Sequence, residues 1–375
     1  MSLIEQLEQS FGELAEPLAR LVLLRCEEDP RAMQRTLRKH VTARQALAER
    51  PVPADEERQR LWKALERDLN LLAKGFYQIL LPTDPGWPSQ LATCPHPPDL
   101  LTVRGELPDF ERSPGLALVG SREDAEYGVR IGAHLAQSWA RYGGVVVSGG
   151  ARGVDAACHQ ACLEAGQPTI AVLATGVNRL YPARNRKLLQ QVASQGAIVS
   201  EWPLDGPPLR HNFPWRNRLI AALSSAVVVV QARTKSGALH TASFALQCGR
   251  LLFTVPAPVD DEACRGGVEL LRKGVPAMTG AEQLAELFAK VSGRVVSPLS
   301  SPERKVVEVE VEKVETKVSK VLAELARGAS HVDELAINLN MGQAMLSMVL
   351  LDLELKHWVT REAGNHFSSN VRLKR

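Results

Sequence analysis

The feature that most constrains the fold is a regular alternation between Leu116 and Val291, in which short apolar runs of β type are separated by amphipathic segments of helix length. The runs recur about every 25 residues, which leaves room for one crossover helix between consecutive parallel strands. They are Leu116–Val119, Val145–Val147, Thr169–Leu173, Ala197–Ser200, Val227–Val230 and Leu251–Val255. This pattern predicts an α/β fold with a doubly wound parallel sheet, whose ligand binds outside the carboxyl ends of the strands.

Two segments before the first of these runs differ from it in pattern. Residues 1–75 carry apolar residues at helical spacing and predict a small helical domain. Residues 76–114 are rich in proline, which neither a helix nor a long strand accommodates. We expect them to form an ordered, extended lead-in, so that the sheet domain as a whole covers residues 76–291.

The carboxyl-terminal part predicts a linker and a further small domain. Residues 292–317 alternate Val with Glu and Lys and offer no apolar face large enough for a core, so we expect a linker. Residues 318–375 combine three helical patterns with a hairpin around Gly364, a layout typical of a winged helix. The candidate recognition helix, Gln343–Lys356, carries two acids, Asp352 and Glu354, and a single lysine at its end. Contact with a protein is therefore favoured over reading of a DNA groove.

Several classes of site and location are disfavoured by what the sequence lacks. The amino terminus has acids where a secretory signal places basic residues, and no apolar run approaches the roughly 20 residues that span a bilayer, so a cytoplasmic protein without a membrane span is expected. The six cysteines form no Cys-x-x-Cys pair, so no zinc site is indicated. The first strand-end turn lacks both Gly-x-Gly-x-x-Gly and a Walker A loop. No metal or cofactor is expected.

Positive charge is concentrated in one stretch of the chain. The formal net charge is only +3, but between Arg179 and Lys235 nine Lys or Arg residues stand against two acids. Such a concentration is what a polyanion site requires, although a solvated surface run would have the same composition.

The ends of the predicted strands carry residues suited to phosphate. The first strand runs into Gly120-Ser121-Arg122 before a helix, which combines backbone N–H donors, a hydroxyl and a guanidinium. The second strand runs into Ser148–Asp155, where glycines allow close approach to a ligand and Arg152 adds a second cation. The alternative is a tight strand-to-helix turn in which Asp155 caps the helix.

The most specific segment is Phe213–Ile220, at a helix start. Two arginines spaced i, i+2 around an asparagine, beside aromatic side chains, combine phosphate pairing with base stacking. In the alternative interpretation the aromatic residues belong to the core and the arginines are solvated. A further helix start, Thr234–Ala242, offers hydroxyl groups, a glycine and Lys235. We expect the four turns to meet at one edge of the sheet, with Arg122 and Arg218 facing a common groove.

These motifs, in this order, resemble the DNA-processing protein A family (DprA, also called Smf). The resemblance covers residues 76 to about 280 and includes Val119–Arg122, Ser148–Asp155, Tyr181-Pro182, Phe213–Ile220, Ser236–Ala242 and Gly249-Arg250. The chain departs from the family at Val255-Pro256-Ala257, where Val-Pro-Gly is usual, and at Gly266–Leu271. Both departures fall near Leu251 to Met278, where the resemblance implies a dimer surface.

The resemblance implies an extended Rossmann-like fold and a non-enzymatic protein that binds and protects incoming single-stranded DNA. It also implies a homodimer that helps load the RecA recombinase during natural transformation. The nucleic-acid-binding residues predicted on this basis are Gly120, Ser121, Arg122, Ser148, Gly149, Arg152, Phe213, Arg216, Asn217, Arg218 and Lys235.

Two other classes of function stay open. One is a nucleotide phosphoribohydrolase on a related glycine-rich fold, although the motif Pro-Gly-Gly-x-Gly-Thr-x-x-Glu of such enzymes is missing here. The other is a protein adaptor in which the basic run is incidental.

Overall fold

The structure, a computed structural model, describes residues 2–123, 126–293, 307–310, 316–325, 330–355, 358–362, 366–369 and 371–374. The chain divides into two compact units, Met1–Leu299 and Ser300–Arg375. Among the described residues, no helix has both the length and the apolar character needed to cross a bilayer.

The amino-terminal helices enclose a small apolar core. They are α1 (Leu3–Phe11), α2 (Glu16–Glu27), α3 (Pro30–Leu37), α4 (Ala43–Ala48) and α5 (Asp55–Ala73). Leu61 and Leu65, four residues apart, turn one face of α5 toward this core. Leu81 and Leu100 of the proline-rich lead-in belong to the same core, so the helices pack on the sheet segment within the first unit.

An eight-stranded sheet forms the centre of the first unit. Its strands are β1 (Gln78–Leu80), β2 (Leu101–Gly105), β3 (Gly115–Val119), β4 (Val145–Ser148), β5 (Thr169–Val172), β6 (Ala197–Ser200), β7 (Ala226–Val229) and β8 (Leu251–Thr254), in the order β1-β2-β6-β5-β4-β3-β7-β8. The six strands predicted from the alternating pattern are all parallel to one another. The predicted doubly wound sheet is therefore confirmed, and the lead-in extends it with two antiparallel strands.

Helices cover both faces of this sheet. They are α6 (Glu126–Arg141), α7 (Val154–Glu164), α8 (Arg186–Gln195), α9 (Asn212–Ala222), α10 (Gly237–Gln247), α11 (Arg265–Arg272) and α12 (Ala281–Ser292). Successive strand residues point to opposite faces, so Leu118 packs with α6, α7 and α12, whereas Val119 packs with α9 and α10.

The strand order creates a crevice at the carboxyl edge between β3 and β7. From β3 the chain proceeds to β4, β5 and β6 on one side, then returns to place β7 and β8 on the other side of β3. Loops leaving neighbouring strands in opposite directions leave a gap between them, which is where open α/β sheets bind ligands.

The second unit is a winged helix, as predicted. It contains β9 (Val307–Glu310), α13 (Thr316–Leu325), β10 (Ser330–His331), α14 (Val332–Asn338), α15 (Gln343–Leu355), β11 (Val359–Glu362), β12 (His366–Ser369) and β13 (Val371–Lys374). The predicted hairpin is β11 paired with β12, and its turn, 363–365, lies outside the described residues. The prediction that 292–317 is only a linker is wrong for Val307–Glu310, because this alternating segment pairs in parallel with β13. The other predicted linker residues, 294–306 and 311–315, are not described.

Candidate nucleic-acid interface

A groove of about 850 Å³ opens at the crevice between β3 and β7. Three segments contribute most of its walls: residues 120–123 after β3, the stretch 208–217 that leads into α9, and residues 233–238 after β7. The structure thus brings together three of the four turns that were predicted to meet, and the fourth, Ser148–Asp155, contributes Ala151 and Asp155 to the described lining.

The wall after β3 combines a cation with an aromatic ring. Cζ of the exposed Arg122 lies 5.2 Å from the ring centroid of Phe213, which is half-buried. The Tyr181 ring packs edge-on against Phe213, with 5.8 Å between centroids. The turn itself is closed by the Glu123 N–H, which donates to Oγ of Ser121 at 3.1 Å. A positive charge and a π face are therefore presented side by side, the combination that phosphate and base require.

Cationic side chains outnumber acidic ones among the described residues that line the groove. It is lined by Arg122, Arg210, Arg216, Arg233 and Lys235 against Glu123, Asp155 and Glu262. Arg233 pairs with Glu123 at 2.8 Å, and both side chains are more than half exposed. Within the described part of the chain, no ion pair engages the exposed Arg122, Arg210 or Lys235. These three charges face the solvent in the groove.

Arg216 forms part of the floor and is used internally. It is 3% exposed, and its Nη1 donates to the carbonyls of Gly149, at 2.9 Å, and Val172. Burial lowers the pKa of Arg216 to about 10, against the attraction of Asp155. Arg216 was predicted as a phosphate ligand, but two of its hydrogen bonds hold the ends of β4 and β5 together. Its main role in this structure is to position the floor.

Asp155 organises the turn after β4. Its Oδ2 accepts from the N–H groups of Gly149, at 3.1 Å, and Ala151, at 3.3 Å. A Cβ on Gly149 would lie 2.6 Å from Nη2 of Arg216 and 2.8 Å from Oδ2 of Asp155, so only glycine fits between them. Burial raises the pKa of Asp155, and the nearby Arg216 opposes this rise. Both backbone polar groups of Gly149 are bonded within the protein, which contradicts its predicted role in ligand contact.

Arg218 faces away from the groove, and its predicted place there is wrong. It is fully buried, and its Nη1 and Nη2 each lie 2.6 Å from an oxygen of Glu201. Its Cζ also lies 4.2 Å from the Trp215 ring centroid. Residues i and i+2 are about 200° apart around a helix, so Arg216 and Arg218 cannot share one face of α9.

Ser148 and Arg152 also lie outside the groove, contrary to prediction. Ser148 is fully buried and donates Oγ–H to the Leu118 carbonyl at 2.7 Å. Arg152 is exposed but lines a neighbouring cleft between α6, α7 and the turn before α8. The chain turns between the two sites at Gly153, whose φ of +71° favours glycine.

The other predicted residues take supporting places at the groove. Nδ2 of Asn217 donates to the Gly237 carbonyl at 3.1 Å and so ties the start of α9 to that of α10. A Cβ on Gly120 would lie 2.6 Å from Cγ2 of Val154, so the glycine lets the turn pack on α7. The lining also includes residues that were not named as DNA contacts: Thr234, His240 and Thr241 of the predicted turn Thr234–Ala242, and Tyr181 and Arg210 outside the predicted turns. Arg210 lies in the basic run, and Tyr181 lies in a motif of the family resemblance, so both could have been predicted from the sequence.

Two family models match the chain. The model described as DNA recombination-mediator protein A covers residues 78–289, which include the whole groove, and the DprA winged helix domain model covers residues 312–365.

Relatives with curated descriptions match over long stretches. Protein Smf of Escherichia coli is 34% identical over 314 residues, which is 84% of this chain and 82% of that protein. Protein Smf of Synechocystis is 40% identical over 210 residues, which is 55% of this chain and 53% of that protein. The Synechocystis match thus spans about half of that relative's length.

Two solved structures share the fold. DNA processing protein A from Streptococcus pneumoniae has a TM-score of 0.59 at 26% identity, over 72% of this chain and 97% of that one. A structure from Helicobacter pylori, described as showing a single-stranded DNA binding mode of DNA processing protein A, has a TM-score of 0.52 at 30% identity. It covers 57% of this chain and 96% of that one.

Proposed function

This chain belongs to the DNA recombination-mediator protein A family, and we propose that it binds single-stranded DNA in the groove between β3 and β7 without catalysing a reaction. The observation that carries this proposal is the pairing of Arg122 with Phe213 beside two further exposed cations, Arg210 and Lys235. The description of the Helicobacter pylori relative as a single-stranded DNA binder supports it.

The groove offers a separate partner for each chemical part of a nucleotide. The side chains of Arg122, Arg210 and Lys235 would neutralise phosphates, because their charges are not matched by described acids. The ring of Phe213 would stack on a base, and stacking is tolerant of sequence because every base has a π face. Hydroxyl groups of Thr234 and Thr241 would add neutral hydrogen bonds. Binding of this kind positions a strand without reading its sequence.

Two of the three acids described in the groove lining, Asp155 and Glu123, are already engaged within the protein, which gives little support to hydrolysis of a nucleotide. Asp155 is bonded to backbone N–H groups, and Glu123 is paired with Arg233. Neither is arranged to stabilise an oxocarbenium ion beside a sugar. We therefore favour a binding protein over the phosphoribohydrolase alternative.

We also propose the finer roles implied by the family resemblance. They are protection of incoming single strands, loading of RecA during natural transformation, action in the cytoplasm, and a homodimer formed near Leu251 to Met278. A closed two-fold dimer is the commonest form of assembly and would hold two grooves on one particle.

The proposal is tested by titrating a labelled oligothymidylate with the full-length protein at several salt concentrations. We expect the logarithm of the binding constant to fall linearly with the logarithm of the salt concentration, and Phe213→Ala to weaken binding by about 1–3 kcal/mol. A parallel assay with nucleoside monophosphates should release no base. Absence of salt-dependent binding in the wild-type protein, or release of a base, would overturn the proposal.

A further inference from the structure

A second cationic site lies beside the groove, and we propose that it binds the sugar–phosphate backbone of the same DNA strand where the strand leaves the groove. We name this site the arginine cleft: it has a volume of about 600 Å³ and is lined by Arg130 of α6, Arg152 of the turn after β4, Arg184 of the turn before α8, and Glu126. The inference rests on the proposed function and adds a length-dependent contact to it.

The groove and the arginine cleft are separated by a direct contact between two turns. The Val154 N–H donates to the Ser121 carbonyl at 3.1 Å. A Cβ on Gly153 would lie 2.3 Å from that carbonyl oxygen and 2.6 Å from the Glu123 carbonyl oxygen. The turns that carry Arg122 and Arg152 therefore meet backbone to backbone, with Arg122 lining the groove and Arg152 lining the cleft. A DNA strand that crosses this contact would reach both the groove and the arginine cleft.

The far wall of the arginine cleft is fixed to the same turn. Asn185 is 9% exposed, and its Nδ2 donates to the carbonyls of Gly150, at 3.1 Å, and Ala151, at 3.0 Å. These bonds tie the turn that carries Arg184 to the turn that carries Arg152. The turns that carry Arg152 and Arg184 are thus held on a common framework, as expected for a preorganised site.

The lining of the cleft suits phosphate more than base. The described lining residues include Arg130, Arg152, Arg184 and Glu126 and no aromatic side chain. In the described part of the chain, no ion pair engages Arg130 or Arg152. The small side chains of Ala156 and Ala157 leave the surface open between the arginines. Without a stacking ring, this chemistry selects the charged backbone of a strand and is indifferent to its bases.

The test measures how affinity depends on oligonucleotide length. Oligothymidylates of about 4, 8, 12 and 16 nucleotides span the usual range of single-stranded DNA sites. For the full-length double variant Arg130→Ala/Arg152→Ala, we expect unchanged affinity for the shortest strand and about tenfold weaker binding of the longest. Each lost phosphate contact reduces the salt slope by about 0.7, so the slope for the longest strand should become shallower by about 1.4.

Two matched variants separate the sites. Arg112→Ala/Arg141→Ala removes the same charge from exposed positions that line neither site, and it should bind every length as the wild type does. Arg122→Ala should weaken binding at every length. Equal binding of all lengths by the cleft variant and the wild type would overturn the inference but leave the groove intact. The same fold loss at every length would also overturn it, and failure of the wild type to bind any strand would refute the proposed function itself.

Discussion

The carboxylate of Glu201 and the guanidinium of Arg218 meet through two N–O contacts of 2.6 Å, and both side chains are almost completely removed from solvent. Arg218→Ala should reduce the free energy of unfolding by about 3–5 kcal/mol, because it leaves a buried carboxylate without its partner. Replacing both members, as in Arg218→Met/Glu201→Leu, should recover much of that loss. Denaturant unfolding checks both values, and a loss below about 1 kcal/mol for Arg218→Ala would show that the ion pair is not needed.

Arg122 should act on binding and leave stability unchanged. Arg122→Ala removes one charge-assisted contact from the groove, so the affinity for single-stranded DNA should fall by about 1.5–3 kcal/mol. Its salt slope should become shallower by about 0.7. Arg122→Lys should restore only part of the affinity, because the charge remains but the planar fork is lost. Wild-type affinity and salt slope in a folded Arg122→Ala protein would contradict the groove assignment.

The buried ring of His159 predicts a loss of stability in acid. Its Nδ1 lies 2.9 Å from Oγ1 of Thr169, which donates its own hydrogen to the Val146 carbonyl. Burial, with a smaller contribution from Arg216, lowers the pKa of His159 to about 3. The unfolded chain, with a histidine pKa of about 6.5, therefore takes up a proton that the folded protein does not.

The unfolding free energy should accordingly fall by about 1.4 kcal/mol per pH unit as the pH drops from about 6.5 toward about 3. His159→Gln keeps a donor for Thr169 but cannot be protonated, so its stability should change less over this range. Urea unfolding at several pH values gives both profiles. If the two profiles are equally steep, His159 is not their cause.

Arg25 should couple the amino-terminal helices to the groove. Its Nε and Nη2 hold the fully buried Asp68 at 2.6 and 2.7 Å, and its Nη1 holds Asp205 at 2.6 Å. Asp205 precedes the segment that forms the groove wall. Arg25→Ala should therefore cost about 3–5 kcal/mol of stability and weaken DNA binding, with an unchanged salt slope because no phosphate contact is lost. Arg58→Ala, which breaks the exposed pair with Asp55, is the control and should do neither.

The winged-helix unit should be dispensable for binding single-stranded DNA. The exposed residues of α15 include Met345, Met348 and Leu351, a surface unsuited to phosphate. A chain ending at Leu299, the boundary of the first unit, is expected to bind within about twofold of the full chain in the same titration. Loss of binding would instead move the site to the second unit.

The strands and the three groove turns could be predicted because their signals are local. An apolar run followed by a glycine marks a strand end wherever the strand lies in the sheet, so the position of Arg122 followed from its neighbours in the chain. The parallel order of the strands then placed these turns at one edge.

The i, i+2 spacing on a helix already excludes that Arg216 and Arg218 share one face, but the burial of both side chains could not be predicted, because it depends on partners elsewhere in the sequence. Gly149 is 67 residues from Arg216 in sequence, and Glu201 is 17 residues from Arg218. A basic pair spaced i, i+2 looks the same in sequence whether its charges are buried or face solvent. The same limit applies to Arg152, whose side of the turn is decided by Gly153.

Gly153 also lowers the conformational entropy that the protein would lose on binding a strand across the groove and the arginine cleft. Its φ is +71°, and a Cβ at this position would lie only 2.3 Å from the Ser121 carbonyl oxygen. The turns that carry Arg122 and Arg152 therefore pack in direct contact before a ligand binds. Protein segments that are already ordered lose little conformational freedom on association. The loss of conformational entropy then falls mainly on the nucleotide chain. Strands that are stiff in solution have less of it to lose, so they should bind more tightly than flexible strands.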